Sequence, residues 1–189
     1  MKKLAFVLAA LALAACATVA KVDSGKQAVG ERLTLTLEGP WNSVDLPNTP
    51  AKIWTMEGLP LDQLRIYSGI KDGEELDRGG PGAAKKPINF RSDMRPDDIV
   101  GMFETAVTRD GSTFKLDKLE PWTFGGQKGF RFEYTFTRKL DGVVNLGVGY
   151  GAVSKGELFA LLYAAPRLGF FARHKDRVEQ IARSAVIKA

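Results

Sequence analysis

Gly129-Phe130-Arg131-Phe132-Glu133-Tyr134-Thr135-Phe136-Thr137-Arg138 is the stretch from which the fold can be read. An aromatic residue stands at every second position, and Arg131, Glu133, Thr135 and Thr137 fill the places between. Side chains of a strand point alternately to its two faces, so the pattern predicts a strand with one aromatic and one polar face. Working outward, Gly125-Gly126 turns the chain before it, and Asp141-Gly142 after it is a hairpin signal. Val143 to Val153 then places Val144, Leu146, Val148 and Tyr150 on one face and Gly147, Gly149 and Gly151 on the other. Ser154 to Glu157 turns again. Leu158 to Ala164 is apolar on both faces, as a central strand is. Phe114 to Trp122, with Leu116 and Leu119, leads into this meander.

The N-terminal half supplies further strands. Leu33-Thr34-Leu35-Thr36-Leu37 alternates strictly and is stopped by Gly39-Pro40. Ala51 to Met56 follows with Ile53 and Trp54, then Gln63 to Ile70, with Gly58-Leu59-Pro60 between them. Lys71 to Pro87 is rich in turn residues and reads as a long loop. Ile88-Asn89-Phe90 fits a short strand. Pro96, Asp97 and Asp98 open a helix whose stripe is Ile99, Met102, Phe103, Ala106 and Val107, ending at Asp110-Gly111. Pro166 and Gly169 lead into a last helix with the stripe Phe170, Phe171, His174, Val178, Ile181, Ala182 and Ala185. The expected class is α+β: one domain over 32–189, an antiparallel sheet of about six or seven strands with two main helices packed on it.

The N-terminus reads as an address. Met1-Lys2-Lys3 is cationic, and Leu4 to Ala15 contains only Leu, Ala, Val and Phe. That run has the length of a signal-peptide core and falls short of the roughly 20 residues a spanning helix needs. Leu13-Ala14-Ala15-Cys16 resembles the lipobox of bacterial lipoproteins. The resemblance implies removal of residues 1–15, diacylglycerol on the Cys16 thiol, and anchorage to a membrane through acyl chains. A plain signal with an Ala-x-Ala cut at Ala10-Leu11-Ala12 or Ala12-Leu13-Ala14 is the competing reading. Cys16 is the sole cysteine, so no internal disulfide can form, and lipidation accounts for it. One acyl chain binds a membrane only reversibly, whereas two or three hold it firmly. Ala17, in place of Asp, implies sorting to the outer membrane, facing the periplasm. Residues 16–31 are small and polar and are expected to form a flexible tether spanning about 20 Å.

Composition excludes more than it suggests. Lys2 and Lys3 leave with the signal, so the formal charge falls from +5 to +3. No stripe of Lys and Arg interleaved with aromatics occurs, which sets nucleic acid aside. The single histidine, His174, lies on an apolar helix stripe, where packing is the stronger reading than general-base work. One His and one Cys do not make a zinc site, and no metal or cofactor is expected. Asp72, Glu74, Glu75 and Asp77 lack the calcium-loop spacing and read as a solvated turn. Gly79 to Lys86 lacks the ending of a phosphate loop. The glycine face of Gly147, Gly149 and Gly151 is explained by close helix packing, or else by a shallow groove for a ligand or lipid. Trp41, Trp54 and Trp122 are core or edge packing, or else, if exposed together, an anchor for a sugar or a protein.

The order of elements over residues 33–187 resembles the PsbP-like fold, also seen in small bacterial lipoproteins. Members of that fold act mostly as binding or assembly factors, so the resemblance carries over no catalytic residues. The expectation is a non-enzymatic envelope lipoprotein with a protein partner. A small-ligand or lipid-binding lipoprotein is the alternative, and a cell-wall or glycan hydrolase a third reading.

Overall fold

The computed structural model describes residues 19–46, 49–77 and 87–188. The lipobox and the Gly79 to Lys86 stretch lie outside them. The elements are β1 (Val19–Val22), β2 (Gly25–Val29), β3 (Leu33–Leu37), β4 (Trp41–Val44), β5 (Lys52–Thr55), β6 (Gln63–Ile70), α1 (Pro96–Val107), β7 (Thr113–Phe124), β8 (Gln127–Thr137), β9 (Val144–Ser154), β10 (Glu157–Pro166), α2 (Phe170–Arg183) and β11 (Val186–Ile187).

Eight strands form one antiparallel sheet in the order β1-β4-β5-β6-β10-β9-β8-β7, and β11-β3-β2 form a smaller one. β10, apolar on both faces, is central as expected, paired with β6 on one side and β9 on the other. At the β7–β8 turn Gly125 and Gly126 both have positive φ, which the two-residue primed turn requires. α1 starts at Pro96, and Asp98 Oδ2 accepts a hydrogen bond from Arg95 N at 3.0 Å, closing the first turn.

The large sheet carries a core on each face. On one, α1 lays Ile99, Val100, Met102 and Phe103 against Tyr67, Phe130, Phe132 and Leu162. On the other, α2 and the small sheet pack Val178, Ile181 and the leucines of β3 against Tyr150, Phe159, Leu161 and Tyr163. The strict alternation of Leu33, Leu35 and Leu37 is therefore real, but it serves the smaller sheet.

Two expectations are corrected. The tether placed at residues 16–31 is already strand from Val19: β1 pairs with β4 (Val19↔Val44 to Val22↔Trp41) and β2 with β3 (Gly25↔Leu37 to Val29↔Leu33). Of these nine residues Val29 alone is buried. Backbone pairing holds them, and a polar sequence does not advertise that. β4 is the second: Gly39-Pro40 reads as a stop, yet a strand follows at once with Trp41 and Val44 buried. These strands take the sheet past the six or seven expected.

Candidate functional site

The three glycines of β9 do not line a groove. β8 sets Phe130 opposite Gly151, Phe132 opposite Gly149 and Tyr134 opposite Gly147. Each ring lies over its glycine. A Cβ at Gly149 would sit 2.1 Å from Phe132 Cε1, and one at Gly147 would sit 2.1 Å from Tyr134 Cζ. Phe103 of α1 stacks in turn on Phe132 at 6.2 Å between ring centres. The expected ligand groove at Gly147, Gly149 and Gly151 is thus filled by aromatic rings of the neighbouring strand. The bareness of one strand and the aromatic load of the next are one packing solution.

The opposite face of β8 is chemically richer. Counting back from the Gly125-Gly126 turn pairs Glu120 of β7 with Arg131 of β8. Arg131, on the strand's polar face, is 6% exposed. Its guanidinium donates to Glu120 Oε1 at 2.8 Å and to Glu133 Oε1, and lies 5.7 Å above the Tyr150 ring. Burial works against its charge, but the hydrogen bond to Glu133 and its neighbours overcome this and raise its pKa. Burial also pushes the Tyr150 hydroxyl up to about 12, with Arg131 opposing. Glu120 is held below its ordinary range, first by Lys118 at 2.7 Å and then by Arg131.

This network continues outward. Tyr150 packs on Trp122 at 5.7 Å, and the Arg183 guanidinium lies 4.5 Å from the centre of the Trp122 ring, held there by Glu179. The result is a stack of two rings between two cations: Arg131, Tyr150, Trp122, Arg183. At its outer end an open hollow of about 690 Å³ is lined by Pro121, Trp122, Thr123, Lys128, Gly129 and Arg183. Lys128 is exposed. The hollow gathers an indole, a guanidinium and an ammonium, a surface suited to an anionic group. The sequence singles out Trp122 and places Arg131 on the polar face of its strand; the register set by Gly125-Gly126 is the signal that joins them.

The remaining tryptophans are elsewhere. Trp41 and Trp54 are buried in the α2-side core, so the three do not form an exposed anchor together. His174 is 7% exposed and its Nε2 lies 3.0 Å from Glu57 Oε1, which also takes Arg173 Nη1 at 3.0 Å. Beside it, Asp62 is buried and accepts from Thr55 Oγ1 at 2.6 Å and from the N–H groups of Met56 and Glu57, fixing the β5–β6 turn. Of the carboxylates in the 71–77 turn, Asp72 accepts from Ser92 and Glu74 from Lys71 N. Among the described residues no three His, Cys, Asp or Glu side chains gather as metal ligands, and no helix is long and apolar enough to cross a membrane.

No protein-family model and no curated protein matches this chain. Solved structures do. The solution structure of cyanobacterial PsbP (CyanoP) from Synechocystis sp. PCC 6803 superposes with a TM-score of 0.59 at 13% identity, covering 93% of this chain and 95% of that one. LpqN, involved in cell envelope biogenesis of Mycobacterium tuberculosis, aligns at 13% identity over 94% of this chain and 88% of its own, with a TM-score of 0.37. The first likeness is one of fold: the chain has the PsbP-like architecture that its element order resembles.

Proposed function

We propose that this chain is the globular part of a lipid-anchored lipoprotein of the bacterial cell envelope that binds a partner protein or supports an assembly and catalyses nothing itself. Anchorage follows from Leu13-Ala14-Ala15-Cys16, and Ala17 favours the periplasmic side of the outer membrane. The hollow beside β7 carries the partner-binding reading. Trp and Arg are the residue types that dominate the energetics of protein interfaces, and here Arg183, stacked on the Trp122 ring, lines the hollow with it while Lys128 is exposed beside them. Against catalysis stands the use made of the one histidine, which is bonded to Glu57 within the α2 packing and faces no hydroxyl nucleophile in its hydrogen bonds. A small anionic ligand is the second reading of the same hollow, favoured by Lys128 and Arg183.

The test is in two parts. Intact mass of the membrane-purified protein should give a chain starting at Cys16 with added diacylglycerol, lost in Cys16→Ala. Crosslinking in the native envelope should then yield a protein adduct that Trp122→Ala and Lys128→Glu abolish. An adduct unaffected by both substitutions refutes the hollow as the contact. An unlipidated mass refutes the anchor.

A further inference from the structure

The lipoprotein reading, on which this inference rests, gains a geometric consequence once the tether is gone. Cys16 is three residues before Val19, and Val19 is already paired in the sheet. Three residues span at most about 11 Å when fully extended. The thioether sulfur is therefore held close to the end of β1, and the domain has no slack with which to float free of the headgroups. We propose that the domain is seated on the membrane by the β1 edge of the large sheet, with the lipid surface itself as the occupant of that edge.

The residues at the entry point fit that surface. Val19 is 62% exposed and Leu46 36% exposed. Leu46 lies two residues beyond Val44, the partner of Val19, on the side from which the chain enters β1. The two make an apolar spot where the acyl chains depart. The charges beside it are neutralised in pairs: Lys52 Nζ to Asp45 at 3.1 Å and Lys21 Nζ to Asp23 at 2.6 Å. The other strongly exposed leucines, Leu140 at 92% and Leu168 at 84%, stand on the β8–β9 and β10–α2 turns, at the sheet end toward which β1 runs. The short leash keeps them away from the bilayer. β7 is the far edge of the same sheet, and seven spacings of about 4.8 Å put it roughly 34 Å from β1. Seated in this way, the protein carries the Trp122 hollow out into the periplasm on a rigid arm.

The experiment uses the lipidated full chain in vesicles of phosphatidylethanolamine and phosphatidylglycerol. With the Cys16 thiol consumed by lipid, Leu46→Cys, Leu140→Cys and Leu168→Cys each accept one NBD label. A headgroup-level spin-labelled lipid should remove most of the emission at position 46 and none at 140 or 168. Inserting a Gly/Ser segment of about 12 residues before Val19, which adds roughly 20 Å of reach, should release position 46 from quenching while the protein stays vesicle-bound. Equal quenching at 46 and 140, or greater quenching at 140 or 168, in protein whose mass includes diacylglycerol overturns the seating and leaves the anchor standing. A mass without diacylglycerol overturns the anchor and the seating with it.

Discussion

Gly149→Ala should be among the most damaging single-methyl additions to this protein. The new Cβ would lie 2.1 Å from Phe132 Cε1, 2.3 Å from Cζ and 2.9 Å from Cδ1. Carbon atoms rest at about 3.5–4.0 Å, so the ring must retreat by about 1.4 Å or more. It has nowhere to go: Phe132 is fully buried, with Phe103 and Phe130 each 6.2 Å away and Tyr134 5.6 Å away between ring centres. Overpacking of this kind costs about 1–3 kcal/mol, and the shortness of the contact argues for about 3. For a chain of this size that lowers Tm by roughly 6–12 °C. Urea unfolding followed by near-UV circular dichroism measures it. Gly101→Ala is the control, because nothing stands within 4 Å of a Cβ there. Exchanging that helical glycine for alanine should stabilise by about 0.5–1 kcal/mol. Phe132→Leu removes the ring atoms that collide, so the double variant Gly149→Ala with Phe132→Leu should cost at least 1 kcal/mol less than the two single costs added, roughly the coupling seen between touching residues. If Gly149→Ala unfolds within about 0.5 kcal/mol of the parent, the level of an ordinary surface change, the rings are not locked over β9 and the ligand groove returns.

Two further substitutions probe the β5–β6 turn and its contact with α2. Asp62→Ala strips the acceptor from Thr55 Oγ1 and two backbone N–H groups around a side chain that is 1% exposed, and should cost about 3 kcal/mol in urea unfolding; an unchanged midpoint would show that water replaces the carboxylate. Glu57 is held below its ordinary 4.5, first by its hydrogen bond with His174 and then by Arg173. A depressed carboxylate contributes stability that is complete above its unfolded value and lost as pH falls through its folded one. Glu57→Gln should therefore flatten the loss of stability below pH 4.5, and parallel pH curves for the two proteins would sink that assignment.

What the sequence made legible follows from where each strand gets its stability. β3, β6, β8 and β10 announce themselves because burial writes a two-residue period, or a continuous apolar run, into their own side chains. β1 is held by hydrogen bonds to β4, a partner too far along the chain for a local window to register, whereas β2 forms a hairpin with β3 next to it and stays hidden because its own residues are small, polar and mostly unburied. The site was legible in part for the same reason. Trp122 stands out as a residue, but its meaning depends on Arg131, Tyr150 and Arg183, which come from three different elements. The glycines of β9 were noticed, while the question of which neighbour covers them was open until register paired them with β8.

The two free edges of the large sheet also say what kind of partner contact is available. An unpaired strand is an invitation to strand addition, and β7 is long enough to accept it at twelve residues. Its sequence works against that use. The register shifts between Leu116 and Lys118, Lys115 pairs with Asp117 and Lys118 with Glu120 along the strand, and Pro121 removes a donor. These are the devices by which proteins blunt an edge. A partner reaching this side therefore meets side chains before backbone, and the side chains that face it with both area and charge are those of the Trp122 hollow. β1, at four residues, is too short to template a stable strand, and the seating proposed for it needs none: it requires only that the sheet end where the proposed anchor would begin.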